Sequence, residues 1–152
     1  AANAINTLAE TKDCPNFETY ISEQEQILQK RLQSKSRFSA VHVRHEIAKL
    51  LNDCLGITRT EEKLLEGIKS VDYYISVSEK LIYDTDVSPY IGYSLQPMIL
   101  LARAILTSAL SRKETRGSHI REDYPQRSDE FALCSVCDYK NGEHHISYIK
   151  ED

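Results

Sequence analysis

Three stretches of this chain repeat apolar side chains every three to four residues, and that period limits the fold to packed helices more than any motif does. Val43, Ile47, Leu50 or Leu51 and Cys54 form one stripe, and Leu64, Ile68, Val71 and Ile75 a second. Leu95, Ile99, Ala102, Ile105 or Leu106, and Ala109 form a third. Gly56 suits a left-handed C-terminal cap, so the first of these helices is expected from about Ser39 to Leu55. Thr60 followed by Glu61 and Glu62 is an N-cap with two acids where the helix dipole favours them, and the helix it opens is expected to end near Tyr83. Asp84 to Ser94 is polar and contains Pro89 and Gly92, so it reads as a loop, with Ser94 capping the next helix and Pro97 in its first turn. An earlier helix is expected over Asn16 to Gln33, where Phe17, Ile21, Ile27, Leu28 and Leu32 recur among good helix formers. Ile47, Leu51, Ile68, Ile75, Leu95, Ile99 and Ile105 are expected to meet in one core.

The period then changes. Phe131 to Tyr139 and Glu143 to Ile149 flank Lys140-Asn141-Gly142, and Asn-Gly between two β-prone runs signals a two-residue hairpin turn. With 152 residues the chain can bury a core without a metal or disulfide staple. A net charge of −4 supplies no overall cationic field, so a nucleic-acid partner is not expected. The most apolar segment, Met98 to Leu110, is broken by Arg103 and falls short of the ~18 residues of a span, so no direct membrane insertion and no signal peptide are expected. Cys14, Cys54, Cys134 and Cys137 are too scattered for a disulfide framework, which favours a cytoplasmic location.

Few residues suggest chemistry in this chain. The five glycines never form G-x-G, so the usual dinucleotide cradle is excluded. Cys134 and Cys137 have zinc or redox spacing, with His144 and His145 following, but residues three apart on a strand point to opposite faces. Half-buried hairpin cysteines are the favoured reading. His42 and His45 lie about one turn apart on a helix without a carboxylate pattern beside them and read as surface histidines. Ser118-His119 are adjacent, which rarely permits a nucleophile–base hydrogen bond. No catalytic, cofactor-binding or metal residue is therefore assigned.

The stretch from Ser111 to Pro125 is denser. Gly117 is expected to end the last helix, with Arg112, Lys113 and Arg116 in its final turns, where the dipole favours cations. Capping leaves His119, Arg121, Asp123 and Arg127 unexplained. Their mixed signs suit paired salt bridges more than a one-sign binding patch. Arg116 and Asp123 are expected to pair internally, with His119 and Arg121 left partly exposed toward an absent surface.

Ala109 to Pro125 closely resembles the R-K-E-S-R-G-x-H-x-R-x-D-Y-P signature in the C-terminal domain of the succinate dehydrogenase and fumarate reductase flavoprotein subunit family. Val43-Arg44-His45-Glu46 with Gly56-Ile57-Thr58-Arg59-Thr60-Glu61-Glu62 resembles the family's V-R-x-E-L…G-I-x-R-T-E-E passage. Asp129-Glu130-Phe131 and the Asn141-Gly142 hairpin resemble its ending. Thr115 and Ser118 depart from the commoner serine and alanine.

The resemblance implies a mainly α fold: a three-helix bundle, spectrin-repeat-like, with an additional N-terminal helix and a small C-terminal β-hairpin. It divides the chain into 1–38 following a flavin-binding domain, 39–130 as the bundle with the signature loop, and 131–152 as the hairpin extension. The opening AANAINTLAE resembles the helix after that flavin domain, and Met98 is the sole methionine, so an excised domain is expected.

Arg112, Glu114, Arg116, Gly117, His119, Arg121 and Asp123 are the implied signature or interdomain residues. FAD belongs to the parent and not to this chain. The implied partners are the parent's flavin-binding and capping domains and an iron–sulfur subunit, with the parent at the cytoplasmic face of the membrane. Arg121 with Gly117-Ser118-His119 favours the succinate and fumarate branch, which moves a hydride between flavin and a four-carbon dicarboxylate. The alternative is a free-standing helical interaction module that kept the scaffold and lost the chemistry.

Overall fold

The computed structural model describes residues 17–33, 39–78 and 89–150. Its elements are α1 (Phe17–Leu32), α2 (Ala40–Leu55), α3 (Glu61–Ser78), α4 (Pro89–Ser111), a 3-10 turn at Asp129–Phe131, and strands β1 (Cys134–Lys140) and β2 (Glu143–Ile149). Helices α2, α3 and α4 pack on one another in pairs, and α4 also carries the hairpin. The fold is therefore mainly helical with a small antiparallel ribbon at its end, as expected.

Ser39 starts α2 by accepting a hydrogen bond from the His42 amide. Gly56 ends it, but with φ −25° rather than the expected left-handed cap. Thr60 starts α3 by accepting from the Lys63 amide at 3.3 Å. The expected continuation of α3 to Tyr83 and the opening AANAINTLAE lie outside the described residues.

Two expectations about α4 fail. Its described part already runs from Pro89, so residues 89–94 are helical rather than loop and Ser94 does not cap the helix. Pro97 consequently sits inside the helix, on its exposed side. At the other end α4 stops at Ser111, well before Gly117.

Val43, Ile47, Leu64, Val71, Leu95, Ile99, Ala102 and Leu106 form the core with Ala40 and Cys54. Leu51, Ile68 and Ile75 pack against it half-buried. Ile105 does not join it: it is 41% exposed, while Leu106 beside it is fully buried. The phase of α3 explains part of the shift. Gly67 faces inward, and a Cβ there would lie 2.9 Å from Cys54 Sγ and 3.3 Å from the Leu106 methyls, so the helices approach closely at a residue no apolar stripe would include.

By length and composition alone Ile91–Ser111 could cross a membrane. In the bundle it is the central helix, and its Arg103 is paired with Asp72 of α3 at 2.6 Å. β1 and β2 pair from Cys134 opposite Ile149 to Lys140 opposite Glu143. Asn141 and Gly142, at φ 54° and 85°, form the tight turn their sequence implies. Phe131 precedes the ribbon in the 3-10 turn rather than opening β1.

Candidate functional site

The charged stretch after α4 folds into a compact clasp at one end of the bundle. Its geometry follows from one problem: α4 ends with carbonyls that have no helical donor. The Arg121 Nη1 group returns to this end and donates to the carbonyls of Ala109, Leu110 and Arg112 at 3.0, 3.2 and 3.3 Å. Nε and Nη2 of the same side chain donate to both oxygens of Asp123 at 2.8 and 2.7 Å. Asp123 in turn accepts from the Glu61 amide at 2.9 Å, capping α3. One bidentate pair thus joins the C-terminus of α4 to the N-terminus of α3, each end receiving the charge its dipole favours.

This overturns the expected pairing. Arg121 is fully buried, not exposed, and it rather than Arg116 holds Asp123. Burial is sustained because all three guanidinium nitrogens donate, between them to five oxygen acceptors, with the Tyr124 ring 4.9 Å from the guanidinium carbon.

A second centre lies at Glu114, also fully buried. It accepts from Arg112 at 2.7 Å, from Arg116 at 2.8 and 3.1 Å, and from the Ser128 amide at 2.9 Å. Its carboxyl is held at about 2, chiefly by the Arg116 hydrogen bonds against the opposing effect of burial. The Asp123 carboxyl is held at about 2 by Arg121 for the same reason. Arg112 also donates to the carbonyls of Phe131 and Leu133 and lies 6.0 and 5.5 Å from the ring centres of Phe131 and Tyr148, which themselves meet edge to face. That residue moors the ribbon to the bundle.

Gly117 serves a turn instead of a helix cap. Arg116 and His119 exchange both backbone hydrogen bonds at 2.8 and 3.0 Å, and Gly117 between them has φ +57°. The His119 ring is half-buried; its Nε2 lies 3.1 Å from the Arg112 carbonyl, so it carries the proton and donates. Burial, and then the charges of Arg59, Arg121 and Arg112, push the imidazole below its ordinary value.

Sequence reasoning missed Arg59 as a participant. Its amide donates to the Ile120 carbonyl, its carbonyl accepts from the Glu122 amide, and its guanidinium donates to the Ser118 carbonyl at 2.8 Å. The signal was present in the passage before α3, whose match to the signature loop is spatial as well as sequential. Asp72, Arg103 and His144 form a further link, with Arg103 Nη1 donating to His144 Nδ1 at 3.1 Å. Their separations leave no local sequence signal.

The other candidates stay apart. His42 and His45 are exposed, and Cys134 and Cys137 are half-buried opposite Ile149 and Ile146. Among the described residues no three His, Cys, Asp or Glu side chains come together to hold a metal ion.

Fold and loop together define a three-helix bundle closed by a buried ionic clasp and extended by a short ribbon. The chain belongs to the fumarate reductase flavoprotein C-terminal family, whose model matches residues 44–151. The fumarate reductase flavoprotein subunit of Helicobacter pylori strain J99 is 28% identical over 118 residues, covering 74% of this chain and 16% of that protein. The L-aspartate oxidase of Pyrococcus furiosus is 34% identical over 96 residues, covering 63% and 17%. This chain thus spans about one sixth of the length of these relatives. The adenylylsulfate reductase of Archaeoglobus fulgidus superposes with a TM-score of 0.78 over 98% of this chain and 27% of its own, at 19% identity, and so shares the fold.

Proposed function

We propose that this chain is the C-terminal helical part of a longer FAD-dependent oxidoreductase of the succinate dehydrogenase and fumarate reductase type. It packs against the flavin-binding and capping parts and carries no catalytic group itself. The observation that carries this reading is the fate of the signature charges within a family match over 44–151. Arg112, Glu114, Arg116, Arg121 and Asp123 all bond one another or the backbone. A guanidinium whose donors end on carbonyls and one carboxylate is not free to clamp a substrate anion.

The described residues do not fit FAD. Their sheet is an antiparallel ribbon after α4, and no strand among them turns into a helix N-terminus to hold a pyrophosphate. FAD is therefore assigned to the remainder of the parent, preceding 1–38, with 39–130 as the docking bundle and 131–152 as its extension. A four-carbon dicarboxylate as the parent's substrate rests on the family resemblance of Gly117-Ser118-His119 and Arg121 and not on any contact they could make with it. An iron–sulfur subunit as electron partner and a seat at the cytoplasmic face of the membrane complete the proposal.

The test uses the purified chain. It should emerge from gel filtration without flavin absorbance, and calorimetric titration with succinate and fumarate should give no dissociation constant below ~100 μM, about 5.5 kcal/mol of binding. Stoichiometric flavin retained through the column, or tighter dicarboxylate binding, overturns the reading.

A further inference from the structure

Beside the clasp lies an open pocket of about 250 Å³ whose walls include Leu55, Ile105, Ala109, Arg59, His119 and Ser135. Five ion pairs form among the described residues, and none includes Arg59. Among the described residues its one side-chain hydrogen bond, to the Ser118 carbonyl, leaves most of a five-donor fork without an acceptor. The charges of Arg59, Arg121 and Arg112 all push the His119 imidazole toward its neutral form. Arg112 and Arg121 are committed to Glu114 and Asp123; Arg59 is not. Because His119 Nε2 donates to the Arg112 carbonyl, Nδ1 is the bare nitrogen, able to accept while neutral and to donate once protonated.

We propose that this pocket receives one carboxylate side chain, an aspartate or glutamate presented by the rest of the longer polypeptide, with Arg59 donating to it and His119 turning from acceptor to donor as it enters. The inference rests on the docking reading above and names its anchor. A protein side chain, not a free metabolite, is the occupant because the surroundings are those of a protein interface. Ile105 in the pocket wall is 41% exposed, Leu101 one turn before it on α4 is 60% exposed, and Ile57 two residues before Arg59 is 84% exposed. Exposed aliphatic side chains around a single unpaired cation suit a surface that a second layer of protein covers. The Helicobacter pylori relative, 16% of which is matched by 118 residues, is more than four times as long as this chain, so it has polypeptide enough to supply such a layer.

The experiment follows the His119 imidazole and the Arg59 Nε resonance by NMR while the chain is titrated with propionate, a glutamate side-chain mimic, against chloride at equal ionic strength. Propionate should shift both resonances saturably and raise the His119 pKa, whereas chloride should not. Arg59→Gln should weaken the response at least about tenfold, the loss of a charge-assisted hydrogen bond, and Arg59→Lys should retain most of it. Both variants keep the backbone bridge to 120–122, and His119→Gln supplies a second probe of the same pocket through Arg59 Nε. Equal responses to chloride and propionate, or an unchanged response in Arg59→Gln, overturn the proposal. Succinate binding more than tenfold tighter than propionate overturns the side-chain occupant in favour of a free diacid. Failure of docking itself is distinguishable: wild-type chain would then not associate with the flavin-bearing remainder at all, whereas failure of this pocket leaves association of Arg59→Gln equal to wild type.

Discussion

Replacing Arg121 with alanine should be among the most damaging single changes in the chain. The side chain is fully buried and bonds five oxygens, both of Asp123 and the carbonyls of Ala109, Leu110 and Arg112 where α4 ends. Truncation removes the cation and leaves the Asp123 carboxylate, 29% exposed, without its counter-charge while it still caps α3. Breaking a buried pair from one side costs about 3 to 5 kcal/mol, because the surviving charge and the orphaned carbonyls keep their desolvation penalty. In a domain of this size each kcal/mol moves the midpoint by roughly 2 to 4 °C, so a fall of about 10 °C is expected. Urea unfolding followed by far-UV circular dichroism measures the free energy directly. Arg121→Lys should recover only part of it, since an ammonium cannot span Asp123 and three carbonyls together. A loss below about 1 kcal/mol for Arg121→Ala would refute the clasp, because that is the range of surface substitutions.

Gly67→Ala should destabilise despite a helix-propensity gain of about 1 kcal/mol, since the new methyl meets Cys54 Sγ at 2.9 Å; adding Cys54→Ala should restore part of the loss in the same urea assay. Arg112→Ala should release the ribbon while the bundle persists, seen as loss of amide protection over Cys134–Lys140 and Glu143–Ile149 in hydrogen exchange with α3 retained. In acid, Glu114 and Asp123 lie at about 2 when folded, against ordinary values of 4.5 and 3.8. Their contribution to stability is complete above those ordinary values and is lost as pH falls toward 2, so Glu114→Gln should flatten that part of the stability–pH curve. Burial, chiefly, holds His119 and His144 below the ordinary 6.5, so each takes up its proton at lower pH in the folded chain than in the unfolded one; stability should decline as pH falls from about 6.5, and less steeply in His144→Gln.

The helices were readable because each carries its own local signal. Val43 and Ile47 repeat on α2, Thr60 caps α3, and Asn141-Gly142 can hardly form anything but the turn observed. Residues 89–94 read as loop because Pro89 and Gly92 are turn residues, yet they are helical in α4, where Gly92 is buried against the bundle. Ile105 and Leu106 are adjacent, and only the close approach at Gly67 selects Leu106. The clasp was legible as a cluster, although its pairs were misassigned. Arg116 lies two residues from Glu114 and seven from Asp123, and Arg121 two from Asp123 and seven from Glu114, so the pairs that form are the nearest in sequence, while the burial of Arg121 and Glu114 depends on where the ends of α3 and α4 fall in space. Arg59 joins the loop through a tertiary backbone bridge that no periodicity encodes.

The most direct measurement of the central claim, that the signature loop is a structural clasp and not catalytic machinery, is the turnover of Arg121→Ala in the full-length flavoprotein at a temperature where the variant remains folded. The account predicts kcat and KM for the dicarboxylate close to wild type at that temperature, with a thermal inactivation midpoint lowered by about 10 °C. A kcat reduced tenfold or more in fully folded protein would contradict it, since that corresponds to about 1.4 kcal/mol of lost transition-state stabilisation that a clasp does not supply.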